Sequence, residues 1–420
     1  MNPPPHLLRP WLQPLTAIVV NYKSGGFALS CLRSLQAEWA RCGGDPRDLE
    51  IILVDNASND DSDRWLDTIE REGVRVLRSK INLGYAGAIE WGLGHSQQEG
   101  PVMFLNPDLF FLPGSLQSLL CHLASDPALG AVAPRTVVDE DAHLHLPPIA
   151  LPTAWDECLG TLARAVPFLS RFLARRQSRL ARDHWSAWRP QPADMLSGAC
   201  VLVCAEMARG DEPLLDAAYP LYYEDADLCQ RLAARAMHMD WVPAAIVVHH
   251  WSRSAGSGSA FEGQPRQFWS RSRQVYMERW SKAPMRWALS FAERLIAHLP
   301  AGLLDRTPRG IERLASHDAE CERVELALPA EGDLFMELSM TPHFSLCAGI
   351  AVCGAELNES WSFPASAWDW LFPGTYFMRA VDSESGAVHA TWTFTKVAPA
   401  RSQALPSEPF EPAFRGGLTA

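Results

Sequence analysis

Polar residues gather at six points of the chain, each at the end of an apolar run or just after one. The first two are Val19-Val20-Asn21-Tyr22-Lys23-Ser24 and Leu53-Val54-Asp55-Asn56-Ala57-Ser58. Asn82-Leu83-Gly84-Tyr85-Ala86-Gly87-Ala88 and Phe104-Leu105-Asn106-Pro107-Asp108 follow. The last two are Tyr223-Glu224-Asp225-Ala226-Asp227-Leu228-Cys229 and Val248-His249-His250-Trp251-Ser252-Arg253-Ser254. Asn21, Tyr22 and Asp55 could supply the few fixed hydrogen bonds that a nucleoside needs. Asp55, Asn56 and Ser58 are equally residues that turn a chain and cap the next helix. Asp108 is a carboxylate of the kind that holds a hard divalent cation, with Asn106 as a weaker oxygen donor beside it. Asn-Pro by itself also signals a turn. His249 and His250 offer imidazoles to a metal, or fill core positions. Glu224-Asp225 opens a helical pattern, where a carboxylate could take a proton from a hydroxyl about 3 Å away or simply cap the helix. Asp227 and Arg231, spaced i, i+4, suggest a surface ion pair.

The elements that must position these residues alternate. Thr16–Asn21, Glu50–Asp55, Val74–Arg78, Pro101–Asn106 and Gly130–Arg135 read as strands. They are mostly continuous apolar runs, as in a parallel sheet buried on both faces. Helical patterns lie between them near Phe27–Trp39, Ser62–Glu72, Ala86–Gln97 and Ser115–Ser125. This alternation predicts a doubly wound α/β sheet, whose ligands bind beyond the carboxyl ends of the strands. The rhythm breaks from about 140 to 193, as an insertion would break it. A sheet-like segment (194–204), a helix (225–236) and a strand (241–248) resume it. The expected organisation is a disordered 1–14, an α/β domain over 15–270, and a helical segment over 271–318. A small β-sandwich over 319–397 and a disordered tail over 398–420 complete it.

Composition narrows the function classes. Of 420 residues 47% are hydrophobic and 20% charged, with a formal net charge of -12. That is a globular chain and a poor general binder of nucleic acid. The ten cysteines show no CxxC pair and no zinc spacing. With no signal-peptide pattern and no apolar run of membrane-span length, the expectation is a cytoplasmic protein able to touch a membrane surface.

From Thr16 to Trp280, six motifs in this order resemble glycosyltransferase family 2, a GT-A fold, and within it the rhamnosyltransferase-like branch of cell-surface polysaccharide synthesis. The resemblance implies an inverting sugar transfer from a nucleotide sugar to a glycan or polyprenyl-linked glycan hydroxyl. By the same match, Asp225 is the base and Glu224 supports it or binds acceptor hydroxyls. Asn21, Tyr22, Asp55, Asn56, Asn82, Asn106 and Gly198 line the donor site, and Asp108 and His249 hold Mg2+ or Mn2+. dTDP-rhamnose leads among the donors, with UDP- and GDP-sugars open. Two departures stand out: Lys23 and Glu90 where the family commonly has Asn. A sugar-phosphate nucleotidyltransferase would show a Gly-rich, Arg-containing loop after the first strand, which Asn21–Gly26 is not. The third reading is a glycan-binding scaffold with a degenerate site, and the joint presence of Asp108 and Asp225 argues against it.

Two further features stand outside the motifs. Arg171, Arg175, Arg179 and Arg182 share a helical face beside Phe168 and Phe172, a basic amphipathic pattern that suits an anionic membrane or a solvated cover over a cleft. Arg271–Leu304 allows the same two readings. Trp361, Trp368, Trp370 and Trp392 could stack on sugars, although aromatics of small β domains more often form core. Oligomer contacts remain open.

Overall fold

A computed structural model describes residues 9–250, 264–304, 310–318, 324–328, 332–354 and 360–397. The expected tail, 398–420, and the stretch from Trp251 lie outside them.

The chain opens with β1 (Leu15–Asn21), α1 (Gly25–Arg41), β2 (Leu49–Asp55), α2 (Asp63–Arg71), β3 (Arg75–Arg78) and α3 (Gly84–Leu93). β4 (Val102–Leu105), β5 (Leu109–Phe111), α4 (Ser115–Leu123), β6 (Leu129–Val137) and β7 (Leu144–His145) follow. The insertion holds α5 (Ala154–Ala163), α6 (Pro167–Ser186) and β8 (Gln191–Pro192). β9 (Cys200–Val203), α7 (Ala205–Ala208), α8 (Glu224–Ala234) and β10 (His238–His249) complete the motif-bearing part. Two helices, α9 (Gln264–Trp280) and α10 (Ala283–Ala297), lead to β11 (Glu312–Asp318), β12 (Glu325–Leu326), β13 (Leu334–Ser339) and β14 (Ala348–Val352). The last elements are β15 (Trp361–Ser362), α11 (Ala365–Trp370), β16 (Gly374–Asp382) and β17 (Val388–Val397).

β3, β2, β1 and β4 pair in parallel, and β9 enters antiparallel between β4 and β6. Their near-continuous apolar runs feed two cores. Ile18, Val20, Ile52, Val54 and Phe104 face one side with α3, α8 and α9; Ala17, Val19, Leu53, Met103 and Leu105 face the other with α1, α2 and α4. This is the expected α/β class, a mostly parallel sheet covered on both faces. The segment expected as sheet from 194 becomes a strand only at Cys200. β11 runs parallel to β17 where the helical segment was expected to continue to 318.

The C-terminal strands do not stand apart. β14 pairs with β7, so one sheet runs on from the motif-bearing strands through β14, β13, β16 and β17 to β11. The facing layer of this sandwich is thin: the β12–β15 ribbon and α11, with Leu326, Phe363 and Trp368 packed on Met336, Met378 and Phe394. The buried Asp139 carboxylate accepts from Leu144 N–H at 2.8 Å and from Ser366 Oγ at 3.0 Å, fastening α11 to the β6–β7 turn. Among the described residues no helix is long and apolar enough to cross a membrane.

Candidate active site

The carboxyl end of β1 meets that of β2, because Asn21 pairs with Asp55 in the parallel register. Asn21 is fully buried, and its Nδ2 donates to Asp55 Oδ1 (2.8 Å) and Ser58 Oγ (3.1 Å). Ser58 Oγ donates to the same Asp55 oxygen at 2.5 Å and accepts from Lys23 N–H at 3.0 Å. Asp55 is thereby held as an acceptor at the strand end. Tyr22 lies half-buried next to it, its ring 5.2 Å from the Lys23 ammonium.

Asn56 and Asn82 are brought together but serve each other. Asn56 Nδ2 donates to Asn82 Oδ1 (3.1 Å) and Gly84 O (3.2 Å), and Asn56 Oδ1 accepts from Leu83 N–H (2.7 Å). They tie the loop after β2 to the start of α3. Gly84 takes φ +74 there, and a Cβ would lie 2.5 Å from Pro220 O. That backbone turn aims Tyr85, whose Oη donates to Gly198 O at 3.0 Å.

Gly198 is the hinge of the site. Its N–H donates to Asp225 Oδ2 at 2.9 Å, while Asp225 Oδ1 accepts from Ala226 N–H at 2.8 Å. A Cβ on Gly198 would stand 3.1 Å from Asp225 Cβ, so a larger residue would push the carboxylate away by a few tenths of an ångström. Burial raises the Asp225 carboxyl above its ordinary range, the two N–H donors offsetting only part of that. Glu224 is driven up further, by burial and then by the charge of Asp225, and its Oε2 is buried with no hydrogen-bond partner among the described residues. Tyr222 and Tyr223 precede this pair at φ +67 and +68, a conformation costing roughly 1–3 kcal/mol for each such residue. Tyr223 Oη holds the turn by donating to Glu157 at 2.9 Å.

The second half of the site joins through one strand. Asn106 N–H donates to Ala199 O at 2.8 Å where β4 meets β9, which sets Asn106 beside Gly198. β10 then brings His249 opposite Leu109. His249 Nε2 lies 3.5 Å from Asp108 Oδ1 and 3.4 Å from Asn106 Nδ2, and His250 N–H donates to Asp108 O at 3.0 Å. Burial alone would raise the Asp108 carboxyl, but the neighbouring His249 and His250 outweigh it and hold it below the ordinary value. An ionised carboxylate and an imidazole, both buried and this close, form an oxygen–nitrogen donor pair that suits Mn2+, while Mg2+ would draw mainly on the carboxylate.

Three results depart from the sequence reading or extend it. Asp227 is not half of a surface pair. It is fully buried and accepts from Tyr219 Oη (3.0 Å), Arg231 Nε (2.8 Å), Arg279 (2.9 Å) and Trp280 Nε1 (2.8 Å), because the end of α9 covers the face that the i, i+4 rule had left to solvent. Glu90 accepts from Leu215 N–H at 2.9 Å, so this departure fixes a neighbouring loop. Of the tryptophans, Trp368 and Trp392 are core, whereas Trp370 stacks on His250 with ring centroids 3.7 Å apart. Ser58 and Tyr85, both inside quoted motifs, are contacts whose role spacing did not assign. Trp370, offered by the sequence only as a sugar-stacking candidate, carried no local signal of its contact with His250.

Residues 16–177 match the family described as Glycosyl transferase family 2. The chain is 28% identical over 303 residues to the N-acetylglucosaminyl-diphospho-decaprenol L-rhamnosyltransferase of two Mycobacterium tuberculosis strains, covering 68% of this chain and 92% of that protein. Among solved structures, GalNAc-T7 with UDP, GalNAc and Mn2+ aligns at a TM-score of 0.40 and 15% identity, over 57% of this chain and 44% of that one. A mannosyltransferase from Pyrobaculum calidifontis in complex with GDP-Man and Mn2+ aligns at 0.37 and 14%, over 68% and 81%. Residues 16–177 thus carry a Glycosyl transferase family 2 segment, and the chain as a whole is similar to a rhamnosyltransferase over nearly that enzyme's full length.

Proposed function

We propose that this enzyme moves a sugar, rhamnose first among the candidates, from a nucleoside-diphosphate donor to a hydroxyl of a lipid-linked glycan, with inversion. One observation carries the reading. A path of peptide, hydrogen-bond and ion-pair links, Asp225–Gly198–Ala199–Asn106–His249–Asp108, connects a carboxylate of raised basicity to an ionised carboxylate–imidazole pair.

Asp225 takes the proton of the acceptor hydroxyl as its oxygen attacks the anomeric carbon. The bond from that carbon to the diphosphate oxygen breaks on the opposite face. Its raised pKa makes Asp225 a stronger base than an exposed aspartate, while the two N–H donors keep it aimed. Glu224, buried alongside, supports Asp225 or holds acceptor hydroxyls. Asp108 and His249 would hold Mg2+ or Mn2+, which when bound supplies positive charge for the departing diphosphate. Asn21, Ser58 and Asp55 present a fixed acceptor to the nucleoside, with Tyr22 at its edge and Asn56, Asn82 and Asn106 shaping the wall.

The acceptor class follows the similar rhamnosyltransferase, whose named substrate is a diphospho-decaprenol. Trp287, Phe291 and Leu295 recur every four residues on the outer face of α10 and are exposed, which supports peripheral contact with a membrane. Thermal-shift titration with dTDP-, UDP- and GDP-sugars, with and without Mn2+, tests the whole reading. A saturating donor at about 100 times its Kd adds about 2.7 kcal/mol of stability. The expected result is a metal-dependent shift with one nucleoside class, lost in Asp108→Ala. No shift with any nucleotide sinks the proposal in favour of a glycan-binding scaffold.

A further inference from the structure

A cleft of about 220 Å³ lies between α6 and the C-terminal sheet, lined by Ser170, Arg171, Arg175, His343, Phe344 and Arg379 among others. Its charges are unbalanced. Arg171 and Arg175, one helical turn apart and exposed, have no carboxylate partner among the described residues, whereas the adjacent Arg176 pairs with Asp156 at 2.5 Å. Arg379 is neutralised by Glu337 at 2.6 Å, which leaves the positive charge of the two α6 arginines uncompensated in a chain of net charge -12.

Ser170 Oγ bonds His343 Nδ1 at 3.1 Å, and His343 Nε2 is buried with no hydrogen-bond partner among the described residues. A buried ring nitrogen without a partner is destabilising. Phe344, the next residue, is held at φ +50 beneath the Arg379 guanidinium, 4.2 Å from its ring centroid. Arginines spaced one turn apart with an imidazole opposite match the several oxygens of a phosphate group.

We propose that this cleft binds a phosphate-class anion, a phosphate ester or diphosphate, on Arg171, Arg175 and His343. The inference is independent of the transfer reaction, since it shares no residue with the Asp225–Asp108 path. The ligand's phosphate comes either from a free compound or from a lipid headgroup.

The test uses the full chain in EDTA with pyrophosphate as probe. Isothermal titration compares wild type with Asp108→Ala, Arg171→Ser/Arg175→Ser, and Arg179→Ser one turn further along α6. The expected outcome is saturable binding unchanged in Asp108→Ala and Arg179→Ser but weakened about tenfold or more in the double variant. The His343 ring-nitrogen resonances of the wild type should move with the same titration, a readout that survives if the double variant misfolds. Capture by phosphatidylglycerol vesicles that needs Arg171 and Arg175 assigns the headgroup source; pyrophosphate binding without such capture assigns a free one. No binding, binding equally weakened by Arg179→Ser, or still His343 resonances overturns the proposal.

Discussion

Asp225 and Glu224 are adjacent carboxyls in different settings, and they should separate in experiment. Asp225→Asn should lower kcat by about 10³-fold with an unchanged melting temperature, since it removes a base and keeps the shape. A smaller loss than tenfold would remove Asp225 from the reaction. The Asp225 carboxyl titrates above the ordinary aspartate range, so activity should fall as pH drops through that raised value, and the acid limb of kcat/KM should sit above the range of an exposed aspartate. Glu224 has a folded-state pKa above its unfolded one. The protein therefore loses stability as pH rises from the ordinary glutamate range up through the folded value. Glu224→Gln has no such loss, so its melting temperature should gain on wild type as pH rises across that window. A constant difference between the two would show that Glu224 is not buried as a raised acid. At Gly198, alanine pushes on Asp225 from 3.1 Å, and kcat should fall by about 10²-fold with a modest loss of stability.

Among the elements, two connections set the site. The loops after β2 and before α3 are joined by the three hydrogen bonds of Asn56. Asn56→Ala should cost about 3 kcal/mol, at about 1 kcal/mol for each buried bond, and raise KM for the donor more than it lowers kcat. Urea melts and donor titration check both parts; an unchanged midpoint would mean the loops are held elsewhere. The β5–β10 pair carries Asp108 and His249, and α11 presses Trp370 against the next residue, His250. Trp370→Ala should weaken Mn2+ binding by up to about tenfold, through the loss of support for His250, which adjoins the ligand His249 and bonds Asp108 O. Unaltered Mn2+ affinity by calorimetry would make Trp370 a packing residue only.

At the scale of the molecule, the sheet does not end where the motifs end. β7 and β14 pair across what the sequence divides into separate regions, Ser366 reaches Asp139, and Arg182 of α6 donates to Asp382 O and Ser383 O. Heat should therefore unfold the described regions in one cooperative transition. Two well-separated calorimetric peaks would show that the C-terminal strands fold as an independent unit.

The sequence by itself determined the strand–helix alternation and the strand ends. Continuous apolar runs with polar residues at their carboxyl ends are local patterns, and a parallel sheet must gather those ends along one edge. It placed Asn21 with Asp55 and the residues of the Asp108–His249 and Glu224–Asp225 motifs on this edge. Only the tertiary structure decided how they are shared out. Asn56 and Asn82 bond each other, Gly198 grips Asp225, Asp227 is sealed under α9, and Trp370 arrives on His250 from 120 residues away. Such contacts leave no periodicity in the chain, because which buried donor meets which acceptor depends on the order in which strands join the sheet.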